Sequence, residues 1–430
     1  MSLSALFPGR SALRTAIAAT LLSFVTACGS SDADGDAPAS TGSGPASSSA
    51  GVGGSGGTGG SGGGGGSGPR QVKVAHFNIK ELTTEKLLDA DDEQATAATQ
   101  LVSRIGADIV CFNEMQFDIE GTPKASLPGA PKSTTWGAFD GGAENARRFA
   151  DRVAAHDPAA SYPETIHGVG NSGFYWEGDD LGQYFYVLRG WGEFEGRFNT
   201  ACISRLPILR DQARIVSDLP WEDLPDSTIE QMKAETGFEV PAGFPLFEKG
   251  LHIVPFEVGN GEVLWLVLLH PVSPTFDPIN TYRNFDELRA LRLFLDGALP
   301  GVEPLPAGAK LLVMGDLNAD PEDGDGIEGA IQQVLEAPVL EPWMPVGAGT
   351  KGTNGQHNSY LSGCGNDDGA VVEDPTTRFQ LQLDYILPSK SLGAPSDGAI
   401  FFPDFETQRE DFDLACRASD HRLLWAVVDL

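Results

Sequence analysis

Residues 29–69 limit most strongly how this chain can fold, because Gly, Ser and Ala dominate that segment. It has hardly any large apolar side chain, so burial cannot offset the entropy that would be lost on ordering it. We therefore predict that residues 28–69 form a flexible tether and that the folded part begins near residue 70. All seven tryptophans and all seven histidines lie beyond the tether.

The segment before the tether has the pattern of an export signal. Arg10 and Arg14 supply positive charge, and an apolar run over residues 16–25 follows that is too short to span a bilayer. Val25-Thr26-Ala27-Cys28 resembles the lipobox of bacterial lipoproteins, which implies that residues 1–27 are removed and Cys28 is acylated. We expect a protein anchored to the cell envelope, at the outer membrane or cell surface, by this lipid alone. An ordinary secretory signal is the alternative.

The formal net charge of −31 argues against a protein that holds nucleic-acid phosphates on a broad basic face. It does not exclude a nuclease, because carboxylates gathered around a divalent cation let a phosphate bind to the metal. The charge slightly favours a small phosphate ester over long DNA.

If Cys28 carries lipid, four of the five cysteines remain, an even number in a compartment where disulfides persist. Three pairings are possible. Cys111 and Cys202 lie in apolar, strand-like runs, whereas Cys364 and Cys416 lie in polar, loop-like segments. Like environments favour pairing within each set.

Apolar runs and helical spacings alternate along residues 70–430, which indicates layered α/β architecture in one catalytic domain. Buried strands are predicted over residues 72–78, 108–114, 200–204, 264–270, 311–316, 383–387 and 423–428. Helices are predicted over residues 91–105, 144–155, 229–236, 282–299 and 327–335. Two stretches near residues 116–198 and 217–250 are rich in Gly, Pro, Trp and acidic residues and are predicted to be insertions.

Polar residues recur where these strands end, and one scaffold edge would bring them together. They are Asn78, Glu114, His270, Asp316 with Asn318, Asp384, and Asp420 with His421. The motifs that contain them are Phe77-Asn78, Phe112-Asn113-Glu114, Leu269-His270, Gly315-Asp316-Leu317-Asn318, Leu383-Asp384-Tyr385 and Ser419-Asp420-His421. In this order they resemble the endonuclease/exonuclease/phosphatase superfamily, which includes pancreatic-type deoxyribonuclease. The resemblance implies an α/β (α+β) fold, a four-layered α/β/β/α sandwich of two packed mixed sheets.

The residue types fit phosphoester hydrolysis, which needs charge neutralisation, an activated water and a protonated leaving group. Glu114 and Asp420 are hard oxygen donors suited to Mg²⁺, with Mn²⁺ and Ca²⁺ as alternatives, and Asn78 is expected to join them through its amide oxygen. His421 is the expected general base, with Asp384 fixing its tautomer.

The resemblance assigns the remaining positions. It implies that Asp316 donates a proton or orients water, that Asn318 contacts the phosphate, and that His270 donates to the phosphate or the leaving group. Each residue taken alone has a bland alternative, a solvated strand end or a local hydrogen bond.

The sequence therefore predicts a metal-dependent phosphodiesterase, nuclease or phosphatase. Its substrate would be a nucleic acid, a phospholipid head group or a small organic phosphate, and no obligate protein partner is expected. The alternatives are a catalytically silent, surface-binding lipoprotein with the same fold and a lipoprotein that binds partners through its insertions.

Overall fold

The computed structural model describes residues 70–118, 138–139, 144–174, 189–192, 194–349, 355–364 and 379–430. The predicted signal over residues 1–27, the lipidation site Cys28 and the tether to residue 69 lie outside these ranges and stay predictions. Within the described ranges, no helix combines the length and the apolar character needed to cross a bilayer.

Strands and helices alternate along the described chain. The strands are β1 (Gln71–Leu82), β2 (Ile109–Met115), β3 (Ala138–Phe139), β4 (Glu164–Val169), β5 (Asn199–Ser204), β6 (Arg214–Val216), β7 (Leu251–Gly259), β8 (Glu262–Leu269), β9 (Lys310–Asp316), β10 (Tyr360–Leu361), β11 (Gln380–Leu381), β12 (Asp384–Pro388), β13 (Asp397–Ile400) and β14 (Leu424–Asp429). The helices are α1 (Thr84–Leu88), α2 (Glu93–Ile105), α3 (Asn145–His156), α4 (Ile229–Thr236), α5 (Pro278–Leu295), α6 (Gln332–Leu335) and α7 (Arg409–Ala418).

These strands form two large mixed sheets. The order in the first is β13-β14-β1-β2-β5-β4-β3, and the order in the second is β12-β9-β8-β7-β6. Strands β1 and β2 pair in parallel, as do β8 and β9, while their other neighbours pair antiparallel. A short pair, β10 with β11, lies apart from both.

Side chains alternate along each strand, so each sheet packs against the other sheet on one face and against helices on its opposite face. This arrangement gives four layers. In β1, Val72 and Val74 pack between the sheets, whereas Ala75 and Phe77 join the core that contains α2 and α3. On the far side of the second sheet, residues of α5 such as Leu288 form a third core. The structure thus confirms the predicted α/β/β/α sandwich of two packed mixed sheets.

Several elements lie where insertions were expected, namely β3, α3 and β4 in the first stretch and α4 in the second. Helix α3 and strand β4 fall inside residues 116–198, yet β4 pairs with β5 in the first sheet, so this part belongs to the core. Strand β7 was not predicted, because Pro255 interrupts its sequence and proline is rare inside strands. Of the helix predicted over residues 327–335, only the last turn, α6, forms.

The two disulfides pair the cysteines as favoured, although Cys416 lies in a helix and not in the loop-like segment that the sequence indicated. Cys111 of β2 and Cys202 of β5 are directly paired across the sheet. Cys364, just after β10, is bonded to Cys416 of α7. The favoured pairing within each set is confirmed.

Candidate active site

The site lies where the facing surfaces of the two sheets change from apolar to polar. In β1, Val74 faces the second sheet, and the next positions of the same parity are His76 and Asn78. In β9, Met314 faces the first sheet and is followed two residues later by Asp316. Because side chains alternate with a period of two, each polar residue continues an apolar row toward one edge.

Two further strands follow the same rule. Leu268 of β8 packs between the sheets and His270 comes two positions later, while Ile386 of β12 is preceded by Asp384. The polar residues His76, Asn78, His270, Asp316 and Asp384 therefore share one edge of the inter-sheet space, and we call this cluster the inter-sheet site.

Glu114 reaches the site only because its strand is irregular. Its neighbour of equal parity, Phe112, packs toward the helices. The pairing of β2 shifts register between Phe112 and Met115, and Glu114 has a φ of 65°. Such a bulge re-aims a side chain, and here it directs the carboxylate toward Asn78.

Asn78 connects two carboxylates. Its amide nitrogen donates to Glu114 Oε1 at 3.0 Å and to Asp316 Oδ2 at 2.9 Å, while its amide oxygen accepts from the backbone N–H of Lys80 at 3.1 Å. The structure brings Asn78, Glu114 and Asp316 together. A metal contact through the amide oxygen of Asn78 stays a prediction.

Asp384 and His421 form a buried pair. His421 Nδ1 lies 2.7 Å from Asp384 Oδ2. The same oxygen accepts from the hydroxyl of Ser359 at 2.9 Å, and Asp384 Oδ1 lies 3.2 Å from His76 Nε2. The other ring nitrogen of His421, Nε2, lies 3.8 Å from Asp316 Oδ2. Asp384 is therefore held at both oxygens, and His421 presents Nε2 to the inter-sheet site.

Burial and charge act against each other in this pair. Burial disfavours the imidazolium of His421, but Asp384 and then Asp316 outweigh it and raise the His421 pKa to about 10. Burial also acts to raise the pKa of Asp384, but the attraction of His421 outweighs it and lowers that pKa to about 2. The two residues therefore form an ion pair at neutral pH.

The other carboxylates respond mainly to burial. It raises the pKa of Glu114 to about 7, with the charge of His421 and the bond from Asn78 acting in the opposite direction. It also raises the pKa of Asp316. A buried carboxylate that retains a proton near neutral pH is suited to acid–base chemistry.

His270 and Asn318 complete the wall beside Asp316. His270 Nε2 lies 3.5 Å from Asp316 Oδ2 and 3.8 Å from Glu114 Oε1, and burial lowers the His270 pKa well below its usual value. Asn318, with a φ of 49°, donates its backbone N–H to Asp316 Oδ1 at 2.9 Å and its amide to Pro271 O at 3.0 Å.

Two groups of side chains could hold a metal ion among the described residues. They are Glu114, His270 and Asp316, and Asp316, Asp384 and His421. The carboxylates of Glu114 and Asp316, with Asn78 between them, fit a hard cation such as Mg²⁺. Asp420 lies in neither group within the described ranges, and its Oδ2 is 3.3 Å from Lys80 Nζ.

Sequence reasoning missed three residues of the site. His76 and Ser359 hold Asp384, and Lys80 pairs with Asp420. A period-two reading of β1 would have found His76, since it shares its face with Asn78. Ser359 precedes the short strand β10, and no pattern in the sequence marks it.

The chain is similar to a known protein family in sequence and to several solved structures in fold. The model of the Endonuclease/Exonuclease/phosphatase family matches residues 75–421. No curated protein matches the chain. An endonuclease/exonuclease/phosphatase from Beutenbergia cavernae has 17% sequence identity and a TM-score of 0.47, with 84% of this chain and 72% of that chain covered.

Two other solved structures are similar at lower scores. Beta toxin from Staphylococcus aureus has 15% identity and a TM-score of 0.42, with 83% of this chain and 99% of that chain covered. D. rerio TDP2 complexed with single strand DNA product has 13% identity and a TM-score of 0.41, with 84% and 99% covered. The family match covers all strands of the second sheet and every residue of the inter-sheet site. The chain therefore belongs to the endonuclease/exonuclease/phosphatase family.

Proposed function

We propose that the protein is a metal-dependent hydrolase of phosphoester bonds. One observation carries the proposal: His421 Nδ1 lies 2.7 Å from Asp384, and its Nε2 faces Asp316, which Asn78 links to Glu114. An oriented histidine beside clustered carboxylates provides a base for water and a place for charge neutralisation.

His421 is the proposed general base. Asp384 holds Nδ1, so Nε2 accepts the proton of the attacking water, and the imidazolium that forms is stabilised by the same carboxylate. His421 must be neutral before it accepts a proton. Neutralisation of the carboxylates around Asp316 would lower its raised pKa and make the neutral form available.

Glu114 and Asn78 are the proposed metal-binding residues, and Asp420 is proposed to join them by leaving Lys80. A divalent cation bound there, with Mg²⁺ favoured by the oxygen donors, would neutralise the phosphate and polarise its phosphorus–oxygen bonds. Without that charge the inter-sheet site would repel a phosphate, because several of its side chains are acidic.

Asp316, His270 and Asn318 are proposed to serve the phosphate and the leaving group. Burial raises the pKa of Asp316 and so brings a protonated carboxyl closer to neutral pH, and such a carboxyl could donate to a leaving alkoxide. Asn318 and His270 flank it and carry the N–H groups needed to contact phosphate oxygens. With a net charge of −31, we propose a small phosphate ester in preference to long DNA.

Hydrolysis by the purified protein tests the function. We would measure release of product from plasmid DNA, sphingomyelin, inositol phosphates and a chromogenic diester, with and without Mg²⁺. We expect metal-dependent turnover that His421→Ala abolishes, roughly a 10³-fold loss or more. His156→Ala, at an exposed helix end, is the matched control and should keep full turnover. Unchanged turnover in His421→Ala would exclude His421 as the general base, and no turnover of any substrate by the wild-type protein would favour a surface-binding protein instead.

We also propose that the protein is exported and lipid-anchored through Cys28. The proposal rests on the positively charged, apolar segment before Cys28 and on two disulfides in the described chain, which persist in oxidising compartments. Cys28→Ser should move the protein from the membrane fraction to the soluble fraction. Retention of the variant in the membrane fraction would contradict a lipid anchor at this position.

A further inference from the structure

Arg422 is a fully buried cation that directly follows the proposed general base. Its Nη1 donates to the carbonyl oxygens of Ser419 at 3.0 Å and of His421 at 3.2 Å. These two carbonyls bracket the peptide units that carry Asp420 and His421. The guanidinium thus fixes the backbone of the turn over residues 419–421, which we call the catalytic turn.

The other end of the guanidinium contacts the second disulfide. Nη2 donates to Cys364 Sγ at 3.0 Å and to Cys416 Sγ at 3.3 Å. The plane of charge also lies over two rings, 4.6 Å from the centroid of Phe402 and 5.7 Å from that of Phe412. Such cation–π contacts favour a guanidinium over an ammonium.

The disulfide joins the two segments to which the catalytic turn is attached. Helix α7, which contains Cys416, ends at Ala418, one residue before the turn. The segment before Cys364 contacts the turn directly, because the backbone N–H of Leu361 donates to Asp420 O at 3.0 Å. The backbone N–H of Arg422 in turn donates to Ser359 O at 2.7 Å, and Ser359 also holds Asp384.

The pattern of bonds is unusual for a buried charge. Burying an ion is costly, and a carboxylate is its common partner. Every hydrogen bond that the Arg422 side chain donates within the described residues ends on a carbonyl oxygen or a sulfur, and its Nε has no partner there. A side chain that only filled space would be apolar at lower cost.

We propose that Arg422 is a positioning residue that couples the Cys364–Cys416 disulfide to the catalytic turn and thereby holds His421 on Asp384. The proposal rests on the hydrolase function proposed above. It makes the second disulfide part of the activity of the enzyme, whereas the first, between Cys111 and Cys202, serves stability. Displacement of a catalytic group by about 1 Å costs on the order of 10²-fold in rate.

Substitution of Arg422 separates positioning from packing. Arg422→Met keeps most of the apolar volume but removes the guanidinium and its hydrogen bonds. We therefore expect kcat to fall about 10- to 100-fold while KM changes less than about threefold. Arg422→Lys keeps the charge but cannot reach carbonyls and sulfurs together, so it should not restore kcat. Full turnover in either folded variant would overturn the proposal.

The two disulfides provide a matched comparison. Cys364→Ala/Cys416→Ala should lower kcat by a similar factor. It should add little to Arg422→Met, because both changes break the same contact between Arg422 and the disulfide. Cys111→Ala/Cys202→Ala should lower thermal stability but keep kcat within about threefold. Equal loss of kcat in the two disulfide variants, or full additivity with Arg422→Met, would contradict the coupling.

Amide hydrogen exchange gives a readout that needs no substrate. Residues 419–422 should exchange faster in Arg422→Met and in Cys364→Ala/Cys416→Ala than in the wild-type protein, with β1 and β9 unchanged. If the wild-type protein hydrolyses nothing, the proposed function fails. Faster exchange would still support the coupling of the disulfide to the catalytic turn through Arg422. Unchanged exchange in both variants would overturn this coupling, whatever the activity.

Discussion

At the scale of single residues, the site depends on how Asp384 is held. One carboxylate oxygen contacts His421 and Ser359, and the other contacts His76. A carboxylate bound at both oxygens cannot rotate without losing a hydrogen bond, and its partner imidazole keeps one orientation. His76 is only 1% exposed, and we expect it to act on the proposed reaction through Asp384.

Substitution of His76 tests this role. His76→Phe removes the contact with Asp384 Oδ1 and fills a similar volume, so kcat should fall about 10- to 100-fold with little change in KM. Asp384→Asn, which reverses the tautomer of His421, should cost more, on the order of 10³- to 10⁴-fold. Steady-state kinetics measure both, with His156→Phe as the exposed control. A His76→Phe enzyme as fast as the wild type would show that Ser359 alone suffices.

At the scale of elements, close approach of β8 and β9 aligns His270 with Asp316. The two strands pair in parallel, so their carboxyl ends reach the same edge. A Cβ atom at Gly315 would lie 1.8 Å from the carbonyl oxygen of Leu269, a distance that no side chain tolerates. Strand packing therefore requires glycine at this position, immediately before Asp316.

Gly315→Ala should force these strands apart. We expect a loss of about 1–3 kcal/mol or more in the free energy of unfolding, together with reduced turnover, because Asp316 moves with its neighbour. Urea denaturation and kinetics measure the two effects. Gly326→Ala is the matched control, since a Cβ there meets nothing within 4 Å, and it should stay within about 0.5 kcal/mol of wild type. Equal stability of the two variants would contradict the argument.

The sequence predicted the helices and strands whose apolar residues recur with a regular period. It missed the strands whose sequence departs from the usual strand pattern. Buried strands such as β9 and amphipathic helices such as α2 followed from spacing alone. Strand β7 contains Pro255, and its place inside a sheet depends on neighbours far along the chain. The boundary of the first predicted insertion was too wide because β4 is short and pairs with a strand more than thirty residues later.

The sequence predicted the site residues that lie at strand ends, because the ordered motifs mark them and the fold brings those strand ends together. Glu114 shows the limit of this reasoning. The alternation of side chains along β2 would place it on the face that packs against the helices, and only the bulge turns it toward the inter-sheet site. The contact between Lys80 and Asp420 joins opposite ends of the domain, and no local pattern indicates it. Long-range contacts of this kind are set by packing.

At the scale of the whole molecule, the core holds two neutral histidines away from the inter-sheet site. His252 packs against Gly168 between the sheets, and burial lowers its pKa to about 3. Burial likewise lowers the pKa of His167 to about 4. Both values lie below the value of about 6.5 expected in the unfolded chain. The unfolded state therefore binds more protons in mild acid.

Stability should consequently depend on pH in a defined direction. The contribution of the neutral histidines is complete above about pH 6.5 and is lost as the pH falls toward the folded-state values of about 4 for His167 and about 3 for His252. His252→Gln should lose less free energy of unfolding than wild type between pH 7.5 and pH 5, by on the order of 2 kcal/mol. Urea denaturation at both pH values measures this, with His156→Gln as the exposed control. Parallel pH profiles for wild type and His252→Gln would refute the assignment.

The division of the inter-sheet site between two sheets also bears on folding. Asp316 and Asp384 come from one sheet, while Asn78 and Glu114 come from the other, so each sheet alone carries half of the acidic and polar set. A folding intermediate with only one sheet formed has no complete site. Recovery of turnover during refolding would therefore report the docking of the sheets, and a truncated chain that lacks either one would be an inert fragment.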